Sequence, residues 1–256
     1  MMARQSVLGV GVDAVDLDAT LSAIGEAITA QSSAYIVLAP AHNVLAAHDD
    51  AELRAIFTRS ALTVPDGMGV LWFLRLNGHD QANRVYGPDL LLAACERGLA
   101  AGWRHYFLGG PEGRAARLAD ILAARYPGLR VAGSYAPPFG VTSAQETEQM
   151  LKDIEQSDPD IIWVALGSPK QERWMAAFRQ RLSTPMLVGV GAVFDFLTGA
   201  KPQAPRGVQR MGLEWLFRLL SEPRRLWRRY AQYPRFVLLA LGQLLGILRF
   251  PLSEDE

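Results

Sequence analysis

The chain has 256 residues, 50% of them apolar, with equal numbers of basic and acidic side chains. That length supports one large α/β core with residues to spare, and no apolar run reaches the roughly 20 residues that a bilayer-spanning helix needs. The single cysteine, Cys95, excludes an internal disulfide, fits a reducing compartment and reads as a small buried hydrophobe.

The neutral total hides a split. Residues 1–200 carry 16 basic and 21 acidic side chains, whereas residues 201–256 carry 10 basic and 5 acidic. A short basic segment on a neutral protein points to an anionic partner. The first residues reach Asp13 and Asp16 too soon for a signal peptide. Gly9-Val10-Gly11 resembles the start of a dinucleotide fingerprint, but no acidic residue follows at the required distance after a strand, which disfavours a Rossmann oxidoreductase.

Along the chain, apolar runs alternate with amphipathic stretches. Strands are predicted at Tyr35–Ala39, Leu62–Val64, His105–Leu108, Arg130–Gly133, Ile161–Leu166 and Met186–Val190. Helices are predicted at Ala51–Ser60 behind Asp49 and Asp50, at Pro88–Ala101 with proline in the first turn, at Glu112–Tyr126, at Ala144–Gln156 and at Pro169–Leu182. Ser143 and Glu146 form a capping box. The alternation predicts an α/β fold with a Rossmann-like, mainly parallel sheet carrying helices on both faces. After Gly199 the pattern changes to a Pro- and Lys/Arg-rich loop and broken helical segments. Two parts are therefore expected: an α/β core over 1–200 and a C-terminal helical appendage over 201–256.

Ligands of open α/β sheets bind beyond the carboxyl ends of strands, so the residues there are the candidates. They are Asn43 in Pro40-Ala-His-Asn43, Asp66 in Pro65-Asp66-Gly67-Met-Gly69, Gly109 and Gly110, Tyr135, Gln171 and Asp195. Asp66 reads either as a turn residue or as a general base with open space beside it. Gly109, Gly110 and Gly113 lead into a helix whose start could hold phosphate or form a plain turn. Arg84 reads as a surface residue or as a counter-ion for a leaving diphosphate. Asp158-Pro-Asp160 has the look of a metal-holding pair but precedes its strand, at the wrong end for a ligand. The four histidines lack ligand spacing, so neither a metal nor a cofactor is expected.

Lys201–Arg235 holds nine basic and two acidic residues among Trp215, Phe217, Trp227 and Tyr230. Basic plus aromatic is the composition of an interfacial helix, too apolar for a nucleic-acid stripe. Arg218 and Arg225, seven apart, share a face if their helix continues.

Taken in order, these residues resemble the WecG/TagA/CpsF family of bacterial glycosyltransferases. The resemblance runs from about Val10 to Tyr230. It rests on Asn43, Pro65-Asp66-Gly-x-Gly69, Arg84-Val-x-Gly87-x-Asp89, Leu108-Gly-Gly110, Tyr135-x-Pro-Pro-Phe139, Gly167-x-Pro-Lys-Gln171-Glu172, Gly189-Val-Gly-Ala-Val-Phe-Asp195 and Gly212-Leu-Glu-Trp-Leu-Phe-Arg218 with Glu222-Pro-x-Arg225.

That resemblance implies inverting transfer of N-acetylmannosamine or a related hexose. The donor would be a UDP-sugar and the acceptor a polyprenyl-diphosphate-linked saccharide, in cell-surface polysaccharide assembly. It implies a cytoplasmic protein, peripheral on the anionic inner face of the plasma membrane, in a family that includes homo-oligomers. Asp66 matches the proposed base and Arg84 a diphosphate or acceptor contact. Asn43 and Gln171 match pocket residues, and Asp195 and Tyr135 uridine contacts. Arg218, Arg225 and Arg228 match appendage arginines that reach the active site. A Thr common two residues before the pocket Asn is Ala41 here, which removes a hydroxyl contact and keeps glucosyl or uronosyl transfer open. A rival from another class is a non-catalytic, nucleotide-binding membrane adaptor, which would not need Asp66.

Overall fold

A computed structural model describes residues 3–138 and 143–252. The chain opens with a hairpin of β1 (Arg4–Val7) and β2 (Val10–Asp13), turned at Leu8 and Gly9, both at positive φ. Then come α1 (Leu17–Thr29), β3 (Ala34–Leu38), α2 (Ala41–Asp49), α3 (Ala51–Thr58), β4 (Leu62–Val64), α4 (Met68–Leu76) and α5 (Gly87–Ala101). The middle of the chain runs β5 (Arg104–Gly109), α6 (Arg114–Arg125), β6 (Arg130–Tyr135), α7 (Ala144–Ser157), β7 (Ile161–Ala165), α8 (Lys170–Phe178), β8 (Met186–Gly189) and α9 (Val193–Leu197). It ends with α10 (Arg206–Arg210), α11 (Glu214–Ser221), α12 (Pro223–Tyr230) and α13 (Tyr233–Leu244).

Six strands form one parallel sheet in the order β4-β3-β8-β7-β5-β6, the Rossmann-like arrangement expected. The strand order explains the strand sequences. A central parallel strand is covered on both faces, so it is apolar throughout instead of alternating. All five residues of β7, Ile161-Ile-Trp-Val-Ala165, are buried. The predicted capping box is present: Ser143 Oγ accepts from the Glu146 N–H, and Glu146 accepts from the Ser143 N–H at 2.7 Å. Asp50 caps α3 by accepting from the Leu53 N–H at 3.0 Å.

By contact the chain divides into two compact units. The first comprises the described residues of Met1–Leu17, Leu38–Tyr86 and Pro202–Glu256, and the second Asp18–Val37 and Gly87–Lys201. In this division the C-terminal helices group with the N-terminal hairpin. Side chains explain why. Gln243 accepts from the Leu8 N–H and donates to Ser6 O, both at 2.9 Å, and Ser6 Oγ donates to Phe250 O. Arg235 on α13 forms a two-pronged pair with Asp49 at the end of α2, both contacts 2.6 Å. Leu226, Tyr230, Phe236 and Ala240 of α12 and α13 belong to the core.

In the second unit Phe107 of β5 and Phe194 of α9 meet edge-on in the core, with Trp163 of β7 fully buried. Asp158 and Asp160 both pair with Arg104, at the amino ends of β5 and β7. That pair therefore clamps strands where no ligand is expected. Cys95 is buried within α5, and burial pushes its thiol up to about 12, so it stays a protonated hydrophobe at neutral pH.

Candidate functional site

In the first unit, β4 ends at Val64 and Pro65-Asp66-Gly67 turns the chain into α4. Gly67 is the N-cap of that helix. A Cβ on Gly67 would lie 3.3 Å from Pro40 Cα, so the turn presses against the start of α2. The segment after α4 returns alongside: the Val85 N–H donates to Pro65 O at 2.9 Å and the Asn83 N–H to Val15 O at 3.1 Å. Those two bonds hold Arg84 beside Asp66.

Arg84 organises the surroundings. Its Nε donates to the backbone oxygen of Asp66, and one terminal nitrogen lies 2.5 Å from Glu214 Oε2 and 3.9 Å from Asp66 Oδ1. The guanidinium stacks over Tyr86, 4.1 Å from the ring centroid. Burial works against its charge, but Asp66 and Glu214 outweigh that and raise its pKa. Tyr86 in turn accepts from Gln203 Nε2 at 3.0 Å. Burial, with Glu214 and Asp66 close by, raises the Tyr86 phenol well above its ordinary range.

The helices after residue 210 supply cations. Arg218 lies on α11 one turn beyond Glu214, and Arg229 turns inward from α12, half-buried. Burial, then the charges of Arg218 and Arg225, lower the Arg229 pKa. Positive groups close enough to lower one another's pKa, two of them half-buried, are chemistry that suits a diphosphate. Arg225 and Arg228 are exposed: Arg225 pairs with Glu222 at 2.7 Å, and Arg228 lies over Trp227. Asn43, in the first turn of α2, is buried and donates to Leu38 O at 3.0 Å.

His42 precedes it, and its Nδ1 is buried with no hydrogen-bond partner among the described residues. Burial, then the charges of Arg229 and Arg218, hold His42 well below the ordinary histidine range. A lowered pKa means that the ring gains its proton only at lower pH. The His42 ring resonances, assigned with His42→Gln, are therefore expected to stay those of neutral imidazole between about pH 8 and about pH 6. A protonation midpoint inside that window contradicts the arrangement.

In the second unit the other candidates stand at the carboxyl ends of the strands. Gly109 needs φ near +117°, and a Cβ there would strike the Ala165 backbone. Gly110, also at positive φ, donates its N–H to Ala165 O at 3.1 Å. The Gly110 N–H is thus committed to the Ala165 carbonyl, and Gly109 allows the β5 end to approach the Ala165 backbone closely. Asp195 opens α9 between two cations: Lys201 Nζ lies 2.8 Å from Oδ2 and Arg114 Nε 3.6 Å from Oδ1. Arg114 also donates to Thr198 at 2.9 Å. With Glu112, Arg117 and Gly199, Arg114 and Thr198 wall a cleft of about 370 Å³. Gln171 is buried; its Oε1 accepts from the Gly191 N–H at 2.9 Å and its Nε2 donates to Glu172 at 3.0 Å. It braces the loop after β7 against the loop after β8. Tyr135 is the half-buried last residue of β6, and Phe139 lies outside the described residues.

The structure thus gathers Asp66, Arg84, Arg218 and Asn43 in one unit, and Gly109, Gly110, Tyr135, Gln171 and Asp195 in the other. Sequence reading missed His42, Glu214, Arg229, Arg114 and Lys201 as partners. Glu214 carried a signal, being one of two acids in a run of nine bases. Among the described residues no three His, Cys, Asp or Glu side chains group in a way that could hold a metal ion.

Comparison with known proteins covers nearly the whole chain. Residues 5–249 match the family model described as "Glycosyl transferase WecG/TagA/CpsF family". An N-acetylglucosaminyldiphosphoundecaprenol N-acetyl-beta-D-mannosaminyltransferase of Bacillus spizizenii is 29% identical over 208 residues, covering 81% of this chain and 79% of that protein. A protein of the same description from Bacillus subtilis is 28% identical over 198 residues, covering 77% and 75%.

Proposed function

The chain belongs to the glycosyl transferase WecG/TagA/CpsF family, and on that footing we propose that it moves a hexose from a UDP-sugar to a polyprenyl-diphosphate-linked saccharide with inversion. N-acetylmannosamine is the first candidate donor sugar, supported by the names of the two Bacillus relatives. Ala41 keeps glucose and related hexoses in the comparison.

The observation that carries this reading is the carboxylate of Asp66 at the end of β4, with Arg84 fixed beside it by Glu214. Asp66 takes the proton of the acceptor hydroxyl as its oxygen bonds to the anomeric carbon. The bond from that carbon to UDP breaks in the same displacement, which inverts the configuration, and UDP leaves with the bonding electrons. Arg218 and Arg229 in the first unit, and Lys201 and Arg114 in the second, are the cations assigned to diphosphate groups. Asn43, Tyr135, Gln171 and Asp195 are assigned to substrate contact, and Arg225 and Arg228 to the outer approach.

The test is UDP release from a panel of UDP-sugars, with a short-chain polyprenyl-diphosphate saccharide as acceptor. One donor should stand out, with the glycosylated lipid formed in step with UDP. A chain that binds UDP-sugars but releases no UDP with any donor is an adaptor instead. Since no ligand spacing for a metal is present in the sequence, turnover is expected to persist in excess chelator. Its loss in chelator, with recovery on added Mg²⁺ or Mn²⁺, would return the question to metal ligands.

A further inference from the structure

One titratable group of the first unit has no part in the displacement. His42 stands in the first turn of α2, next to Asn43, and its Nδ1 is out of water with no hydrogen-bond partner among the described residues. A buried polar atom left unbonded costs stability, and a bound ligand is one way that cost is offset. After burial itself, the influences on the ring are the charges of Arg229 and Arg218. Asp66 acts instead on Arg84, Tyr86 and Tyr233. His42 therefore belongs with the arginines and not with the candidate base.

Those arginines are held in place by aromatic packing. Trp215 of α11 meets Tyr230 of α12 and Tyr233 of α13 with ring centroids 6.1 and 5.7 Å away, and the two tyrosines meet edge-on at 5.0 Å. Arg218 follows Trp215 on the same helix and Arg229 precedes Tyr230, so both stand on that cluster. The acids of the region are engaged elsewhere, Glu214 with Arg84 and Glu222 with Arg225. Among the described residues no carboxylate pairs with Arg229. The elements packed on α2 also bring charges, but these are directed away from His42. Arg235 of α13 pairs with Asp49 and Arg54 of α3 donates to His48 O, both in the last turn of α2. Asp50 caps α3, Glu52 is exposed, and Asp13 of β2 is held by Arg4 and the Thr63 N–H. What the cluster around His42 lacks is an anion with several acceptor oxygens, which a diphosphate supplies.

We propose that His42 contacts the same diphosphate as Arg218 and Arg229, donating from Nδ1 to a phosphoryl oxygen, and that its ring takes up one proton from solvent as the anion enters. This rests on the assignment of those arginines to a diphosphate under the proposed function. The reason for the uptake is a reversal of sign. In the empty site burial, then the two guanidinium charges, disfavour imidazolium. A diphosphate diester is ionised at both phosphoryl groups, which offsets the two guanidinium charges, and its oxygens replace the water that the ring lost. The ring is then held as imidazolium, a donor at both nitrogens. The His42 pKa is thus higher in the complex than in the free protein, so the ligand binds the protonated form more tightly. Affinity rises as pH falls through the pKa of the complex and levels off below that of the free ring.

The experiment titrates the full chain with UDP-glucose and, separately, with a short-chain polyprenyl-diphosphate saccharide. Both are diesters whose own charge does not change near neutral pH. Calorimetry in two buffers of different ionisation enthalpy counts the protons bound. With one of the two ligands, wild type should take up close to one proton per site at about pH 7, and the His42 ring resonances should move from neutral imidazole to imidazolium on saturation. That ligand identifies whose diphosphate occupies the site. Its affinity should rise from about pH 8 to about pH 6, by up to about tenfold per pH unit. His42→Gln, with wild-type circular dichroism and melting temperature, should bind it about tenfold more weakly at about pH 6, without proton uptake. Uptake that persists in His42→Gln, or a ring that stays neutral in the saturated complex, overturns the proposal. So does binding of both ligands by wild type with no proton uptake, a measurement that needs no variant. Arg218→Ala/Arg229→Ala separates this proposal from the reading beneath it. If that double variant binds both ligands as wild type does, or wild type binds neither, the diphosphate assignment falls and the role of His42 with it. If the double variant binds weakly while wild type takes up no proton, only the role of His42 falls.

Discussion

Asp66→Asn is expected to lower turnover by about 10²–10⁴-fold, the usual worth of general base catalysis, while the fold and UDP affinity persist. Asn is nearly isosteric, and the backbone oxygen of residue 66, which accepts from Arg84 Nε, is untouched. What disappears is the ability to take a proton. The acceptor hydroxyl is far less acidic than a carboxylic acid, so its proton must leave as the new bond to the anomeric carbon forms. An amide cannot receive it. The rival reading makes Asp66 an ordinary turn residue. The structure makes Gly67, not Asp66, the N-cap of α4, so a capping role does not explain the acidic side chain. The check is kcat from UDP release together with UDP titration and a melting curve. Near-normal kcat in Asp66→Asn would falsify the proposed mechanism and leave the family membership intact.

How much of this was legible follows from how local each determinant is. The central strands were readable within two residues at each end because burial on both faces leaves continuous apolar runs such as Ile161–Ala165. α7 was readable because its capping box is written in Ser143 and Glu146. α2 and α4 read as loops because they start at Pro40 and Gly67 with no side-chain cap. The β1–β2 hairpin was hidden by a turn in which the non-glycine Leu8 takes positive φ. Arg218 and Arg225 share no helix, since the break at Glu222-Pro223 divides α11 from α12. That break also turns Arg229, not Arg228, inward. The grouping of residues beyond 201 with the hairpin depends on contacts such as Gln243–Leu8, more than 200 positions apart in sequence. Composition can mark where such a segment begins, but not what it joins. Likewise Asp66 stood out beside a strand end, whereas Glu214 gains its meaning only by reaching Arg84.

Removing Arg84 should separate positioning from binding. Arg84→Ala is expected to cut kcat by about 10²-fold or more, the scale of losing one fixed donor in an active site, with UDP affinity close to wild type. The expectation follows from its contacts: Arg84 is held by Asp66, Glu214 and Tyr86, which ties it to the candidate base. Arg84→Lys should rescue little. One ammonium cannot donate along the Nε direction to the Asp66 carbonyl and along the terminal direction to Glu214 while stacking flat on Tyr86. A stability effect accompanies the kinetic one. Both side chains of the Arg84–Glu214 pair are mostly out of water, at 16% and 14% exposure. Arg84→Ala therefore strands a carboxylate, at a cost of about 3 kcal/mol. Arg84→Ala/Glu214→Ala removes the stranded charge and should recover most of the lost stability but none of the lost kcat, because Asp66 still lacks its neighbour. If the double variant regains turnover as well as stability, Arg84 serves only to neutralise Glu214. If UDP affinity falls together with kcat, Arg84 belongs to the donor diphosphate.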